Sequence, residues 1–245
     1  MLKKLFQTQS KKRFSAWQIE ITTRCPLKCT MCVKDEYKDW YRKDMHIDDF
    51  RKIVPYLHNV ENVVLEGWGE SLLHRNLIEI IALIKAEGTK VGFVTSGMGL
   101  DETYVDALID VGLDFIGFSL SGATEKTHNA IRINSDFNKL IYATRLFKTK
   151  AVAKKLKKPK THIVYLMLKD NIHELPLLPA LAKDIGIEEI VLINIILVSN
   201  VWQDSQRVFV CDDKKPYNDI LKKTEMRAKV FNITLTTPPL SPTDP

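Results

Sequence analysis

The sequence predicts an α/β fold with parallel strands, on three observations. Apolar, β-branched runs of strand length alternate with amphipathic helical periods along the 245 residues. The alternation repeats six times, and Gly88, Gly112 and Gly186 each stand between a helical period and the next run, where a helix ends in a left-handed residue. In chain order the runs are WQIEIT (17–22), NVVLE (62–66), KVGFVT (90–95), DFIGFS (114–119), THIVYLML (161–168) and EIVLINII (189–196). Helical periods follow them over 48–57, 77–87, 101–111, 136–155, 173–185 and 215–230. A last run, NITLTT (232–237), reads as an edge strand. It leads into PPLSPTDP (238–245), whose prolines continue neither a helix nor a central strand.

Six β/α units with right-handed crossovers give either an open doubly wound sheet or a barrel. The phosphate fingerprints of the open sheet, GxGxxG after the first strand or GxxxxGK before Ser or Thr, do not occur. In barrels the chemistry gathers at the C-terminal ends of the strands. There the sequence puts Cys25, Cys29 and Cys32 after the first run, GWGES (67–71) after the second and TSGMG (95–99) at the third. SLSGAT (119–124) follows at the fourth, Lys169-Asp170-Asn171 after the fifth, and Asn194 lies in the sixth. Small and polar residues thus collect at one rim.

With 45% hydrophobic and 27% charged residues, the chain can bury one large core. No apolar run approaches the roughly 18 residues of a membrane span. The N-terminal MLKKLFQTQSKKRF lacks the apolar segment of a secretory signal, so the expected compartment is the cytoplasm and no membrane partner is expected. The net charge of +6 and the stretch KTKAVAKKLKKPK (148–160) raise a nucleic-acid reading. These lysines have no interleaved aromatic residues and close a helical period, which favours a solvated helix end over a nucleic-acid surface.

Three of the four cysteines fall within eight positions, which is no disulfide framework. A closed zinc site on C-x3-C-x2-C would need Cys211 or a histidine such as His46. A four-iron cluster held by three thiolates instead leaves one iron open to a ligand. Cys211, alone in VFVCDD, reads as a packing residue. His74 and His128 have no clustered partners, and Asn171 reads as a strand terminator.

CPLKCTMC after a first strand resembles the cluster loop of the radical S-adenosylmethionine (SAM) superfamily. GWGE resembles that family's turn after the second strand, and FSLSGATEKTHNAIR (118–132) its fourth-strand segment. The resemblance implies a partial TIM-like barrel of six β/α units, with a [4Fe–4S] cluster on Cys25, Cys29 and Cys32 and with SAM chelating the open iron. It further implies one-electron cleavage of SAM, supplied by a low-potential donor of flavodoxin or ferredoxin type, and a 5′-deoxyadenosyl radical that takes hydrogen from the substrate. By the same resemblance Gly67, Gly69 and Glu70 form a tight turn at the SAM amino group, with Trp68 packed under it. Thr95 and Ser96 hydrogen-bond the ligand, Ser119 and Ser121 contact its ribose or carboxylate, and Arg132 pairs with the carboxylate. Met31 covers the adenine where many members carry an aromatic residue, and Asn194 is a further cofactor-site candidate. Ser121 replaces the Asp common at its position, and Ser71 the proline that often follows the turn.

The expected organisation is a basic arm over 1–16, the partial barrel over 17–237 and a proline-rich linker over 238–245 that would open a missing C-terminal extension. The motifs resemble maturases that carry a cysteine-rich (SPASM/twitch) extension, among them proteins associated with tungsten oxidoreductases. Such maturases act on peptides, proteins or cofactors. Two alternatives stand beside this: a radical SAM enzyme modifying RNA through the lysine stretch, and a non-catalytic zinc- or metal-binding barrel.

Overall fold

The computed structural model describes residues 12–195, 198–209 and 215–238. Its elements run β1 (Phe14–Gln18), β2 (Lys28–Cys29), α1 (Ile47–Ile53), β3 (Val60–Val64), α2 (Leu77–Ala86), β4 (Lys90–Thr95), α3 (Glu102–Asp110) and β5 (Phe115–Leu120). They continue with α4 (Glu125–Ile131), β6 (Arg132–Ile133), α5 (Phe137–Ala153), β7 (Lys160–Met167), α6 (Leu178–Asp184), β8 (Glu189–Asn194), α7 (Val201–Ser205), α8 (Lys215–Phe231) and β9 (Thr234–Thr236). Seven strands form one parallel sheet in the order β1-β3-β4-β5-β7-β8-β9. The sheet is a curled half-barrel whose edges, β1 and β9, do not meet: six β/α units completed by the expected edge strand. A separate antiparallel pair joins β2 to β6.

Strand alternation sorts the two faces of this sheet. Val91 and Phe93, Ile116 and Phe118, and Ile163 and Tyr165 are fully buried in one apolar core with Ile80, Ile84, Leu108, Leu140 and Phe147 from α2, α3 and α5. Their neighbours Val94, Ser119 and Leu166 face the other way, into a cavity at the C-terminal ends of the strands. Side chains cap the helices that return the chain: Asp101 accepts from Tyr104 N, and Asp136 from Lys139 N. Gly88, Gly112 and Gly186 end the preceding helices with φ of +68°, +85° and +78°, as the sequence predicts.

Three of the differences from the expected boundaries have a local reason. The first strand begins at Phe14 rather than 17 and ends at Gln18. Beyond it the chain leaves the sheet to bond with residues 43–45: Thr23 N donates to Lys43 O and Met45 N to Ile21 O. The helix expected over 48–57 stops at Ile53 and tightens into a 3-10 segment, Val54–Asn59, because Pro55 has no N–H to donate. Pro176 likewise makes the start of the 173–185 period a 3-10 segment, Ile172–Leu177, ahead of α6. Cys211, the end of the sixth run at 196 and most of the 1–16 arm and the 238–245 linker lie outside the described residues.

Four lysines of the 148–160 stretch pair with carboxylates of the same chain, Lys148 with Glu188 among them. Lys150 meets Asp106 at 2.7 Å, Lys154 meets Asp110 at 2.5 Å, and Lys158 bonds Asp114. These contacts tie the end of α5 and the turn after it to α3 and the start of β5. No helix among the described residues is long and apolar enough to cross a membrane.

Candidate cofactor site

The cysteine loop is held at both ends and in the middle. At its entry Arg24 forks onto Asp44 (2.9 and 2.7 Å) and also donates to Leu73 O (2.6 Å), while Trp40 Nε1 donates to Thr23 O (3.2 Å). In its middle β2 pairs with β6, setting Cys29 opposite Arg132, and Thr30 N donates to Ile131 O. At its exit Glu36 accepts from Ser199 Oγ (2.7 Å), Asn200 Nδ2 and Gln203 Nε2 (3.0 Å); the same Gln203 amide also donates to Met31 O (3.3 Å). Lys34, only 4% exposed, donates to Leu27 O across the loop (2.5 Å).

The three thiols so positioned are partly buried and line one cavity of about 380 Å³. Met31, Gly67, Trp68, Gly69 and Glu70 line it too, as do Thr95, Ser96, Ser119, Arg132 and Asn194. Of the expected site residues only Ser121 is absent from the wall.

Ser121 is fully buried behind the wall, where its Oγ accepts from Arg132 Nε (2.9 Å). Ser119 Oγ accepts from Arg132 Nη2 (2.7 Å), and Nη1 reaches toward Cys29 Sγ (3.9 Å). The two serines therefore orient the guanidinium, Ser119 from the cavity wall and Ser121 from behind it. His128 supports them from below. Burial, then the charge of Arg132, push it down to about 3, so its ring is neutral. Its Nδ1 accepts from Ser121 N, and Nε2 pairs with Ser135 Oγ (3.0 Å).

The 67–70 turn is fixed by contacts within the chain. A Cβ on Gly69 would lie 2.0 Å from the carbonyl oxygen of Thr22, so glycine is required by close approach to the cysteine loop's own backbone. Glu70, 4% exposed, accepts from Thr95 Oγ (2.7 Å), Ser96 N (2.8 Å) and Ser96 Oγ (2.7 Å). The hydroxyl protons of Thr95 and Ser96 are thus spent on Glu70 and bind the third strand's end to the turn. Trp68 does not pack under the turn: it is 40% exposed and meets Trp40 edge to face at 6.4 Å.

Two charged cavity residues escaped the sequence reading. Burial, followed by repulsion from Glu70, raises the pKa of Glu66. Lys34 is a buried cation beside the loop. Their signals were the charges themselves: a Glu ending an apolar strand and a Lys two positions past the last cysteine. His46, a possible zinc ligand by sequence, instead caps α1 through Nδ1.

The donor set suits a cluster better than one ion. Among the described residues no three His, Cys, Asp or Glu side chains converge to hold a single metal. A four-iron cube gives each thiolate its own iron. Burial pushes the Cys25 thiol up to about 11, so its anion needs cationic partners of that kind.

The Radical SAM superfamily model matches residues 19–178. The chain belongs to the radical SAM superfamily. A tungsten-containing aldehyde ferredoxin oxidoreductase cofactor-modifying protein of Pyrococcus furiosus is 24% identical over 186 residues, covering 73% of this chain and 51% of the relative. A probable GTP 3′,8-cyclase of Methanococcus maripaludis is 36% identical over 112 residues, 44% of this chain and 37% of the relative. The radical SAM chain described here thus spans about a third to a half of these curated relatives. Its fold is similar to that of SuiB from Streptococcus suis bound to S-adenosylmethionine, with a TM-score of 0.72 at 14% identity over 92% of this chain and 51% of SuiB. Membership of this superfamily implies SAM and a four-iron cluster.

Proposed function

We propose that this chain is a radical SAM enzyme of the maturase kind. In this reading Cys25, Cys29 and Cys32 hold a [4Fe–4S] cluster, and SAM binds beside it. The observation that carries the reading is that the three thiols, the 67–70 turn and Arg132 all line one cavity at the strands' C-terminal ends. When bound, the cluster and SAM supply reductive cleavage to a 5′-deoxyadenosyl radical. The chain's residues bind, orient and exclude water. Arg132, fixed by Ser119 and Ser121, presents its Nη1 edge to a carboxylate. Val94, Leu166 and Ile193 give the cavity apolar walls, which keep water from a reactive radical. Met31 and Trp68 offer apolar surface to a flat ring.

The substrate we infer is a peptide, protein or cofactor acted on by hydrogen abstraction. SuiB solved with its precursor peptide SuiA supports a peptide, and the Pyrococcus relative supports a cofactor of a tungsten enzyme. Dithionite and SAM, incubated anaerobically with the reconstituted chain, should yield 5′-deoxyadenosine by chromatography, and Cys29→Ala should abolish it. Bound zinc with no 5′-deoxyadenosine would return the site to a metal-binding barrel.

A further inference from the structure

Glu20, Glu66 and Glu70 all meet the 67–70 turn, and two of them are satisfied within the chain. Glu20 Oε1 accepts from Trp68 N (2.5 Å), and Glu70 accepts from Leu72 N, Thr95 and Ser96. Glu66 differs. Val63 and Leu65 are fully buried in the core, so strand alternation turns Val64 and Glu66 to the opposite face, where Glu66 lines the cavity with the three thiols. Its backbone carbonyl accepts from Gln18 Nε2 (3.3 Å), yet among the described residues no donor and no cation meets its carboxylate. The cations that share the cavity are turned elsewhere, Arg132 onto Ser119 and Ser121 and Lys34 onto Leu27 O. Burial and the nearby Glu70 both disfavour the ionised form of Glu66, and such a carboxylate is destabilising until a cation reaches it. Val94, Leu166 and Ile193 line the same cavity with apolar surface.

We propose that Glu66 is a specificity-determining residue, the counter-ion of an alkyl cation on the substrate, an amine or guanidinium like those that end lysine and arginine side chains. The inference deepens the function proposed above and rests on it, because Glu66 lies in the cavity assigned there to SAM and the substrate. An alkyl cation matches both parts of the site: its methylene stem packs on the apolar wall and its charged head ends on the carboxylate. A neutral group of the same shape leaves the carboxylate buried and unpaired, so the site selects against it. The amino group of SAM is a poorer match. As a ligand of the open iron it gives its lone pair to the metal and is no longer an ammonium, and the sulfonium carries no N–H to donate.

The test uses n-pentylguanidine and its neutral isostere n-pentylurea, each titrated calorimetrically into the anaerobically reconstituted full chain with SAM bound. Wild type should bind the guanidine about tenfold more tightly than the urea, the scale of an ionic hydrogen bond. Glu66→Gln should bring the two affinities within about twofold, while iron content and SAM affinity by equilibrium dialysis stay at wild-type values. Glu20→Gln, which alters the carboxylate already engaged by Trp68 N, should keep the wild-type preference. Equal affinities in wild type, binding of neither probe, or a preference that survives Glu66→Gln overturns the proposal. So does a parallel loss of SAM affinity in Glu66→Gln, which would assign the carboxylate to SAM instead. If Glu66→Gln takes up no iron, Glu66→Ala is put through the same comparison and judged by the same outcomes. A wild-type chain that takes up no four-iron cluster, or binds no SAM, refutes the proposed function before any probe is added, and the role of Glu66 falls with it.

Discussion

Arg132 is built as a fork with two tines occupied. Ser121 and Ser119 take Nε and Nη2, and the third nitrogen is left toward Cys29 and the cavity. Lysine at this position keeps the charge but not the planar fork. Arg132→Lys should therefore weaken SAM binding about tenfold in equilibrium dialysis while iron content stays at the wild-type level, since an ionic hydrogen bond contributes about 1.5–3 kcal/mol. An unchanged dissociation constant would remove Arg132 from the binding role. His128 beneath it gives a pH signature. Its folded pKa of about 3 lies below the ordinary 6.5, so between those values the unfolded chain binds more protons than the folded one. Its contribution is complete above pH 6.5 and is lost as pH falls through that window. Urea midpoints of the wild type should drop more steeply from pH 7 to pH 5 than those of His128→Gln, which has no proton to gain. At this scale the residue types were legible and their partners were not. The sequence marked Ser121 and Arg132 as ligands of the same molecule, but only the fold reveals that one holds the other.

The cysteine loop is shaped by contacts distant in the chain. Arg132 approaches Cys29 across 103 positions, and Ser199 reaches Glu36 across 163. Neither contact leaves a local period or spacing to read, which is why the sequence located the cysteines but not their clamps. The β/α alternation was legible for the opposite reason: strand runs and helix caps are written within ten or so residues of each other. Where proline intervened, at Pro55 and Pro176, the period survived while the helix type changed. The exit clamp yields a prediction at this scale. Glu36→Ala removes the acceptor of three hydrogen bonds and leaves Gln203, fully buried, without its carboxylate partner. The reconstituted variant should lose iron to a chelator about tenfold faster than wild type, while its thermal midpoint stays within a few degrees. Equal rates of iron loss would show that the clamp does not position the loop.

At the scale of the whole molecule, a parallel half-barrel leaves one side open between β1 and β9 and gathers its polar residues at one rim. Lateral openness suits a bulky substrate. In the proposed function three thiolates hold a cluster with one iron open to SAM. Iron and sulfide content together with an electron paramagnetic resonance spectrum of the anaerobically reconstituted, reduced chain, recorded with and without SAM, tests it most directly. About four irons per chain and a signal that changes when SAM is added are expected. Zinc in place of iron, or a cluster whose spectrum is indifferent to SAM, would contradict it.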